Sequence, residues 1–362
     1  MERKLKAGVL GGTGMVGQRF VTLLENHPWF ELAAIAASPR SAGKTYREAM
    51  GDRWKMSAPM PAKAADMIVK DVSDVDAVTE GLDLVFSAVD MKKDEIHAIE
   101  EAYARHEVPV ISNNSAHRWT PDVPMVIPEI NPEHMEIIHA QRKRLGTKRG
   151  FIAVKPNCSI QSYTPAIYAL MEFGPKVVIA CTYQAISGAG KTFADWPEME
   201  DNVIPFISGE EEKSEQEPLR IFGKIEGDAI IKAKSPVITT QCIRVPVTDG
   251  HTAAVFVSFE NKPSKEEIID RWIHYSGLPQ ERKLPSAPKQ FIRHMEEPDR
   301  PQARLDRDFE RGMGISLGRL REDTVYDYKF VGLSHNTLRG AAGGGVETAE
   351  LLVSMGFITA KE

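Results

Sequence analysis

Apolar residues run almost unbroken through positions 5–10, 31–37, 82–89 and 108–112. Runs of this length without alternation predict strands buried on both faces. Between them lie segments with helical spacing, first around Phe20, Val21, Leu23 and Leu24, later over 93–106. This alternation predicts βαβ units around a parallel sheet. Residues 67–69 add a short strand. Prolines at 121, 124, 128 and 132 mark an irregular connection, and a basic helix over 133–144 follows it. Residues 151–154 predict one more strand, ending at Pro156. From Ser159 onward, Tyr163, Ile167, Leu170 and Met171 recur at helical spacing and predict a helix.

Beyond that point the texture changes. Long apolar strands are predicted at 176–184, 237–247 and 252–260, the last two separated by the turn Thr248-Asp249-Gly250-His251. They read as an antiparallel sheet with longer connections. Residues 281–312, rich in Pro, Arg and Asp, read as a surface excursion or lid. A short helix over 349–357 follows the Gly340–Gly345 run, whose glycines permit close backbone packing.

The first strand leads into Gly11-Gly12-Thr13-Gly14-Met15-Val16-Gly17, a G-x-G-x-x-G pattern between strand and helix. Glycines there allow a tight turn and a close backbone approach to a pyrophosphate at the helix N-terminus. The second strand ends in Ser38-Pro39-Arg40-Ser41 with Lys44 behind, where an NAD site would carry an acidic residue. Hydroxyls and cations suit a 2′-phosphate, so the cofactor expected is NADP(H). Ser87 lies at a strand's carboxyl end, where an open parallel sheet binds ligands. The fold expected is α/β. A doubly wound Rossmann domain spans residues 1–156, with the C-terminal segment 337–362 returning to it. An α+β catalytic and oligomerisation domain with a mainly antiparallel sheet spans 157–336.

Lys155-Pro156-Asn157-Cys158-Ser159 places a cysteine at a predicted helix start, where a thiolate is favoured. His251, at a turn before a strand, suits proton transfer near neutrality. Arg244, one strand earlier, suits a carboxylate. Asn113 to Arg118 forms a polar loop whose one arginine can hold an anion. Residues 184–192 carry a rival pattern, a permissive P-loop in which Ala185 replaces the first glycine and Asp90 is the only fair magnesium partner. The run Glu210-Glu211-Glu212-Lys213, continuing through Glu215 and Glu217, reads as a solvated helix face. Cys181 and Cys242 lie inside apolar strands and read as core.

Composition narrows the classes. The chain has 362 residues, enough for two domains. Its net charge of −6 argues against nucleic-acid or anionic-membrane partners. No apolar run reaches the roughly 20 residues that span a bilayer. Three scattered cysteines suit a reducing cytoplasm and neither a disulfide framework nor a metal site.

Taken in order, these motifs resemble the aspartate-β-semialdehyde dehydrogenase family over nearly the whole chain. The resemblance rests on G-G-T-G-M-V-G, S-N-N-S-A-H-R at 112–118, P-N-C-S at 156–159, Q-A-I-S-G-A-G at 184–190, E-E-E-K at 210–213 and R-V-P-V-T-D-G-H at 244–251. I-P-E-I-N-P-E-H at 127–134 resembles the archaeal and fungal branch. The resemblance implies NADPH-dependent reductive dephosphorylation of L-aspartyl-4-phosphate, a step in lysine, threonine, methionine and isoleucine biosynthesis. It implies Cys158 as nucleophile, His251 as acid/base and Gln184 as a positioning group. It implies Arg244 for the substrate carboxylate, Glu210 (or Glu211 or Glu212) for its ammonium group, and Arg118 and Lys213 for phosphate, with Asn157 beside them. Gly12, Thr13, Gly14, Met15, Val16, Ser38, Arg40, Ser41, Ser187, Gly188 and Asn336 are the implied NADP contacts. A homodimer or homotetramer is expected. The same branch holds a malonyl-CoA reductase, an alternative that gives Glu210 no ammonium group to bind.

Overall fold

The computed structural model describes residues 3–361, which are dominated by two six-stranded sheets. The first contains β1 (Leu5–Leu10), β2 (Phe30–Ala37), β3 (Lys70–Asp71), β4 (Leu84–Ser87), β5 (Val110–Ser112) and β6 (Ile152–Val154). Every pairing is parallel and the order is β3-β2-β1-β4-β5-β6. This is the doubly wound arrangement, and its chain reversal falls between β1 and β4, where such sheets bind ligands. Helix α1 (Met15–Leu24) buries Phe20, Val21 and Leu24, and α2 (Lys93–Arg105) buries Ile96 and Tyr103. Because helices cover both faces, the strands need the unbroken apolar runs seen in the sequence. The third strand lies slightly later than the 67–69 expected. Ala36 pairs with Lys70, while Ile68 is exposed and only bridges Thr45. The basic helix also starts later. A 3₁₀ turn over Pro132–Ile137 precedes α3 (Ile138–Leu145).

The second sheet contains β7 (Pro175–Gln184), β10 (Val237–Arg244), β11 (His251–Phe259), β12 (Ile292–Met295), β13 (Ile315–Glu322) and β14 (Tyr328–Ser334), in the order β10-β7-β11-β14-β13-β12. A two-stranded ribbon, β8 (Lys224–Glu226) and β9 (Ala229–Ile231), lies apart from it. The sheet is mixed and mostly antiparallel. The β10–β7 pair is parallel, against the antiparallel expectation, because α4 (Glu210–Ile221) carries the chain across between them. Residues 281–312 form no lid. Phe291 and Ile292 are buried, and β12 pairs with β13 as an edge strand. The charges of that segment satisfy one another, since buried Asp306 accepts hydrogen bonds from Arg293 at 2.9 Å and Arg300 Nε at 2.7 Å.

The C-terminal helix α5 (Gly343–Ser354) begins six residues earlier than expected, inside the glycine run. Its apolar residues Val346, Ala349 and Leu352 share a core with Phe20 of α1 and Phe86 of β4. Gly345 is needed there, since a methyl group on it would lie 2.9 Å from the Phe20 ring. None of the described helices is long and apolar enough to cross a membrane.

One charged cluster ties these parts together. Arg339 is fully buried, and its two terminal nitrogens donate to Glu129 at 2.9 and 2.7 Å. It also donates to Glu347 of α5 at 2.7 Å. Burial pushes the Glu347 carboxyl well up, which leaves Glu129 as the main counter-charge. Removing one member of a buried pair strands the other. Arg339→Met should therefore cost about 3–5 kcal/mol, read from the urea unfolding midpoint. A near-native midpoint would show that the cluster adds nothing.

Candidate active site

Two cavities flank the start of α1. The first, about 520 Å³, is lined by Gly11, Thr13, Gly14, Ser38, Arg40, Ser41, Lys44, Arg53, Ala88 and Asp90. Its floor depends on missing side chains. Gly11 has φ +78°, and a methyl group there would lie 2.2 Å from Ala88 O, while one on Gly17 would lie 2.2 Å from Gly11 O. Only glycine allows this turn. The rim carries three cations, Arg40, Lys44 and Arg53, with Asp90 as the one carboxylate, a donor set that fits the diphosphate and 2′-phosphate of NADP(H). Three residues expected to touch cofactor line neither cavity. Gly12 lies against Ile35, Met15 opens α1 half-buried, and Ser87 is turned inward as the acceptor of Asn114 Nδ2 at 3.2 Å. Val16, Ser187, Gly188 and Asn336 line the second cavity instead.

The second cavity, about 330 Å³, brings together Asn157, Cys158, Gln184, Ser187, Gly188, Glu210, Lys213, Arg118, Arg244 and Asn336. These residues come from both sheets. Cys158 follows β6, while Gln184 ends β7, Arg244 ends β10 and His251 opens β11. Cys158 Sγ lies 3.4 Å from His251 Nε2. The Ala185 N–H donates to His251 Nδ1 at 3.0 Å, so Nδ1 carries the lone pair and the ring proton sits on Nε2, facing sulfur. Burial, then Arg244 and His335, depress the imidazole pKa well below its ordinary value, which keeps the ring neutral. Asn336 braces the turn by accepting from Gly250 N–H at 2.8 Å and donating to Ser187 Oγ at 2.8 Å.

The helix expected after Cys158 is broken. A single 3₁₀ turn, Ser159–Ser162, and a five-residue helix, Thr164–Tyr168, replace it. Tyr163 between them has φ −139°, outside the helical region. A four-residue turn offers little dipole. The free thiol is correspondingly pushed up to about 11, by burial and by Glu210, against the opposing pull of Lys155, Arg118 and Arg244. The expectation of a thiolate from helix position alone is thus reversed. The cations and the His251 N–H must stabilise it.

The glutamate run is not a solvated face either. Glu210 is buried and accepts both Asn157 Nδ2 contacts at 3.0 Å, Gln184 Nε2 at 3.3 Å and Lys213 Nζ at 2.9 Å. Glu211 instead caps Cys242 N–H at 3.3 Å, and Glu212 faces outward, so Glu210 is the glutamate of the cavity. Seven residues on, fully buried Glu217 accepts from Arg118 at 2.9 Å and from Asn157 N–H at 2.6 Å. Glu217 was missed by sequence reasoning, yet Glu210, Ser214 and Glu217 share one helical face at 4- and 3-residue steps. Asn113, Asn114 and Thr337 also line the cavity unpredicted. Arg244 donates to Ala185 O at 2.7 Å. The P-loop pattern builds no cradle. Gly190 is left-handed, no α-helix follows Lys191, and its ammonium lies over the Trp196 ring at 4.4 Å.

The family described as semialdehyde dehydrogenase, NAD binding domain, matches residues 6–138, and its dimerisation domain matches 165–339. The aspartate-semialdehyde dehydrogenase of Aspergillus fumigatus is 43% identical, covering 98% of this chain and 99% of that protein. That of Archaeoglobus fulgidus is 44% identical, covering 97% and 98%. The chain belongs to the aspartate-semialdehyde dehydrogenase family. A crystal structure of the Candida albicans member with NADP superposes with a TM-score of 0.88 at 38% identity, over 98% of this chain and all of that one. These fungal and archaeal relatives agree with the branch suggested by residues 127–134. Gly188 backs both the arginine and the histidine. A methyl group on Gly188 would lie 2.9 Å from Arg244 Nη1 and 3.0 Å from His251 Cε1. Gly188→Ala should therefore lower kcat/KM about a hundredfold with the circular dichroism spectrum unchanged. An unchanged kcat/KM would remove this constraint.

Proposed function

We propose that the chain catalyses NADPH-dependent reductive dephosphorylation of L-aspartyl-4-phosphate to L-aspartate 4-semialdehyde. The observation that carries this reading is the Cys158–His251 contact inside a cavity offering both a buried carboxylate and three cations. Arg244 binds the substrate's α-carboxylate. Glu210 receives its ammonium group, with Asn157 and Gln184 holding that carboxylate in place. Sγ attacks the acyl carbon, the bond to the phosphate oxygen breaks, and Arg118 and Lys213 take the departing charge. Bound NADPH supplies a hydride to the thioester carbonyl. The His251 Nε2–H stabilises the resulting oxyanion and then the sulfur as it leaves. Glu210 also weighs against the malonyl-CoA alternative, since malonate offers that buried carboxylate only repulsion.

We divide the work between residues 1–156 with 337–362, which bind cofactor, and 157–336, which carry the substrate and the subunit contact. The shared core of α5 with α1 supports the first grouping. A reducing cytoplasm suits an enzyme whose nucleophile is a free thiol. The outward face of the second sheet supports a twofold dimer. Val177, Ile179, Cys181 and Tyr183 of β7 lie on it, beside Ile243 of β10 and Phe256 of β11, all of them at least partly exposed. Cys181 is thus a face residue and not core, whereas Cys242 is buried as expected. A twofold dimer would use this same face on both subunits. Ile179→Arg should shift the sedimentation profile from dimer to monomer, and an unchanged profile would move the contact elsewhere.

The reaction is tested in reverse, by phosphate-dependent NADP reduction with aspartate semialdehyde. The parent protein should require phosphate, and Cys158→Ser should lose about 10³-fold or more in kcat. Activity without phosphate, or an active serine variant, would overturn the reading.

A further inference from the structure

Lys155 directly follows β6, the last strand of the first sheet, and precedes Pro156. Its N–H donates to Ser112 O at 2.8 Å and its carbonyl accepts from Arg118 Nε at 3.0 Å. The side chain turns into the interior, where the residue is 2% exposed. Its Nζ has no hydrogen-bond partner among the described residues. A strip of glycines presses on it and on the nucleophile alike. A methyl group on Gly344 would lie 2.6 Å from Lys155 Cε, and one on Gly340 would lie 2.8 Å from Cys158 Cβ.

An unpaired buried ammonium is costly, so the charge needs an anion. The charged groups around Lys155 are Arg118 with Glu217, and Arg339 with Glu129 and Glu347. Glu217 and Glu129 are committed to Arg118 and Arg339, and Glu347, whose Oε1 has no partner among the described residues, is pushed toward its neutral form by burial. Glu210 and Arg244 face Cys158 from the cavity side, Glu210 held by Lys213 and Arg244 by a carbonyl. The remaining acid is Cys158.

We propose that Lys155 is the interior counter-cation of the Cys158 thiolate: its buried ammonium offsets the charge that sulfur acquires when the thiol ionises. The directions agree from both sides. Burial, then Arg339, bring Lys155 down to about 7, while Cys158 pulls it back up. Burial and Glu210 raise Cys158, and Lys155 is the leading cation that lowers it, ahead of Arg118 and Arg244. Lys155 is therefore a positioning residue acting through sulfur, and its role rests on Cys158 being the nucleophile.

The test is the rate of Cys158 alkylation by iodoacetamide in the full chain without substrate, resolved by peptide mass across the neutral to alkaline range. Removing the cation destabilises the thiolate. Lys155→Met should therefore react about tenfold more slowly at a given pH, its midpoint raised by about one unit. Lys155→Arg, which keeps the charge, should react at least as fast as the parent. NADP binding, which Lys155 does not touch, checks the fold. A methionine variant with the parent's rate and midpoint, or an arginine variant as slow as methionine, would overturn the proposal. If the methionine variant does not bind NADP, the arginine variant decides alone, and a midpoint above the parent's sinks the idea. Alkylation reads thiol ionisation and not turnover. Failure of Cys158 as nucleophile would appear separately, as activity retained in Cys158→Ser.

Discussion

A single carboxylate, Glu217, sets the register between the two halves of the active site. It sits fully buried on α4, which belongs to the second sheet, yet both its partners belong to the first. One oxygen takes the Arg118 guanidinium after β5, and the other takes the Asn157 N–H after β6. A buried anion held by one cation and one backbone donor is satisfied only while all three stay in place. Two helical turns separate Glu217 from Glu210, so both point from the same face of α4. Locking one end of the helix to the cysteine loop places the other end in the cavity. The Cys158–His251 distance of 3.4 Å joins residues from different sheets and depends on this anchor.

What was legible in the sequence follows from which signals are local. The parallel sheet announced itself because strands covered on both faces must be apolar throughout, and the cofactor loop because its turn admits only glycine at Gly11 and Gly17. The second sheet was harder. The β7–β10 pairing depends on a helix crossing over, which strand patterns cannot express, and the Pro- and Arg-rich segment hid an edge strand because its charges are neutralised by Asp306. The break after Cys158 was invisible for a similar reason. Tyr163, Ile167 and Leu170 keep helical spacing while Pro165 and the non-helical φ of Tyr163 divide the segment. Glu217 and Lys155 escaped because a charged residue is normally exposed. Only tertiary contacts reveal that one is a staple and the other an unpaired cation. Cys158 was found from its motif, but for a partly wrong physical reason. The field that would ionise it comes from side chains spread over more than a hundred residues of sequence, not from its own helix.

The charges in the cavity also bear on how a substrate would be selected. In the free protein Glu210 is held by Lys213 at 2.9 Å, and Arg118 is held by Glu217 at 2.9 Å. The cavity is therefore internally neutralised except at Arg244, whose recorded partner is the Ala185 carbonyl. A carboxylate alone can be met by Arg244 without disturbing anything else. Phosphate has a full counter-charge only when Lys213 leaves Glu210, and Glu210 can release it cheaply only to another ammonium group. A substrate carrying carboxylate, ammonium and phosphate together thus completes an exchange of partners, whereas one lacking the ammonium group would leave Glu210 buried and unpaired or Lys213 unavailable. Breaking such a pair costs about 3–5 kcal/mol when nothing replaces the lost partner. On the proposed reading, selection of an amino-acid phosphate over a simple dicarboxylate would lie in the Glu210–Lys213 pair, which the three-residue spacing on α4 lets form.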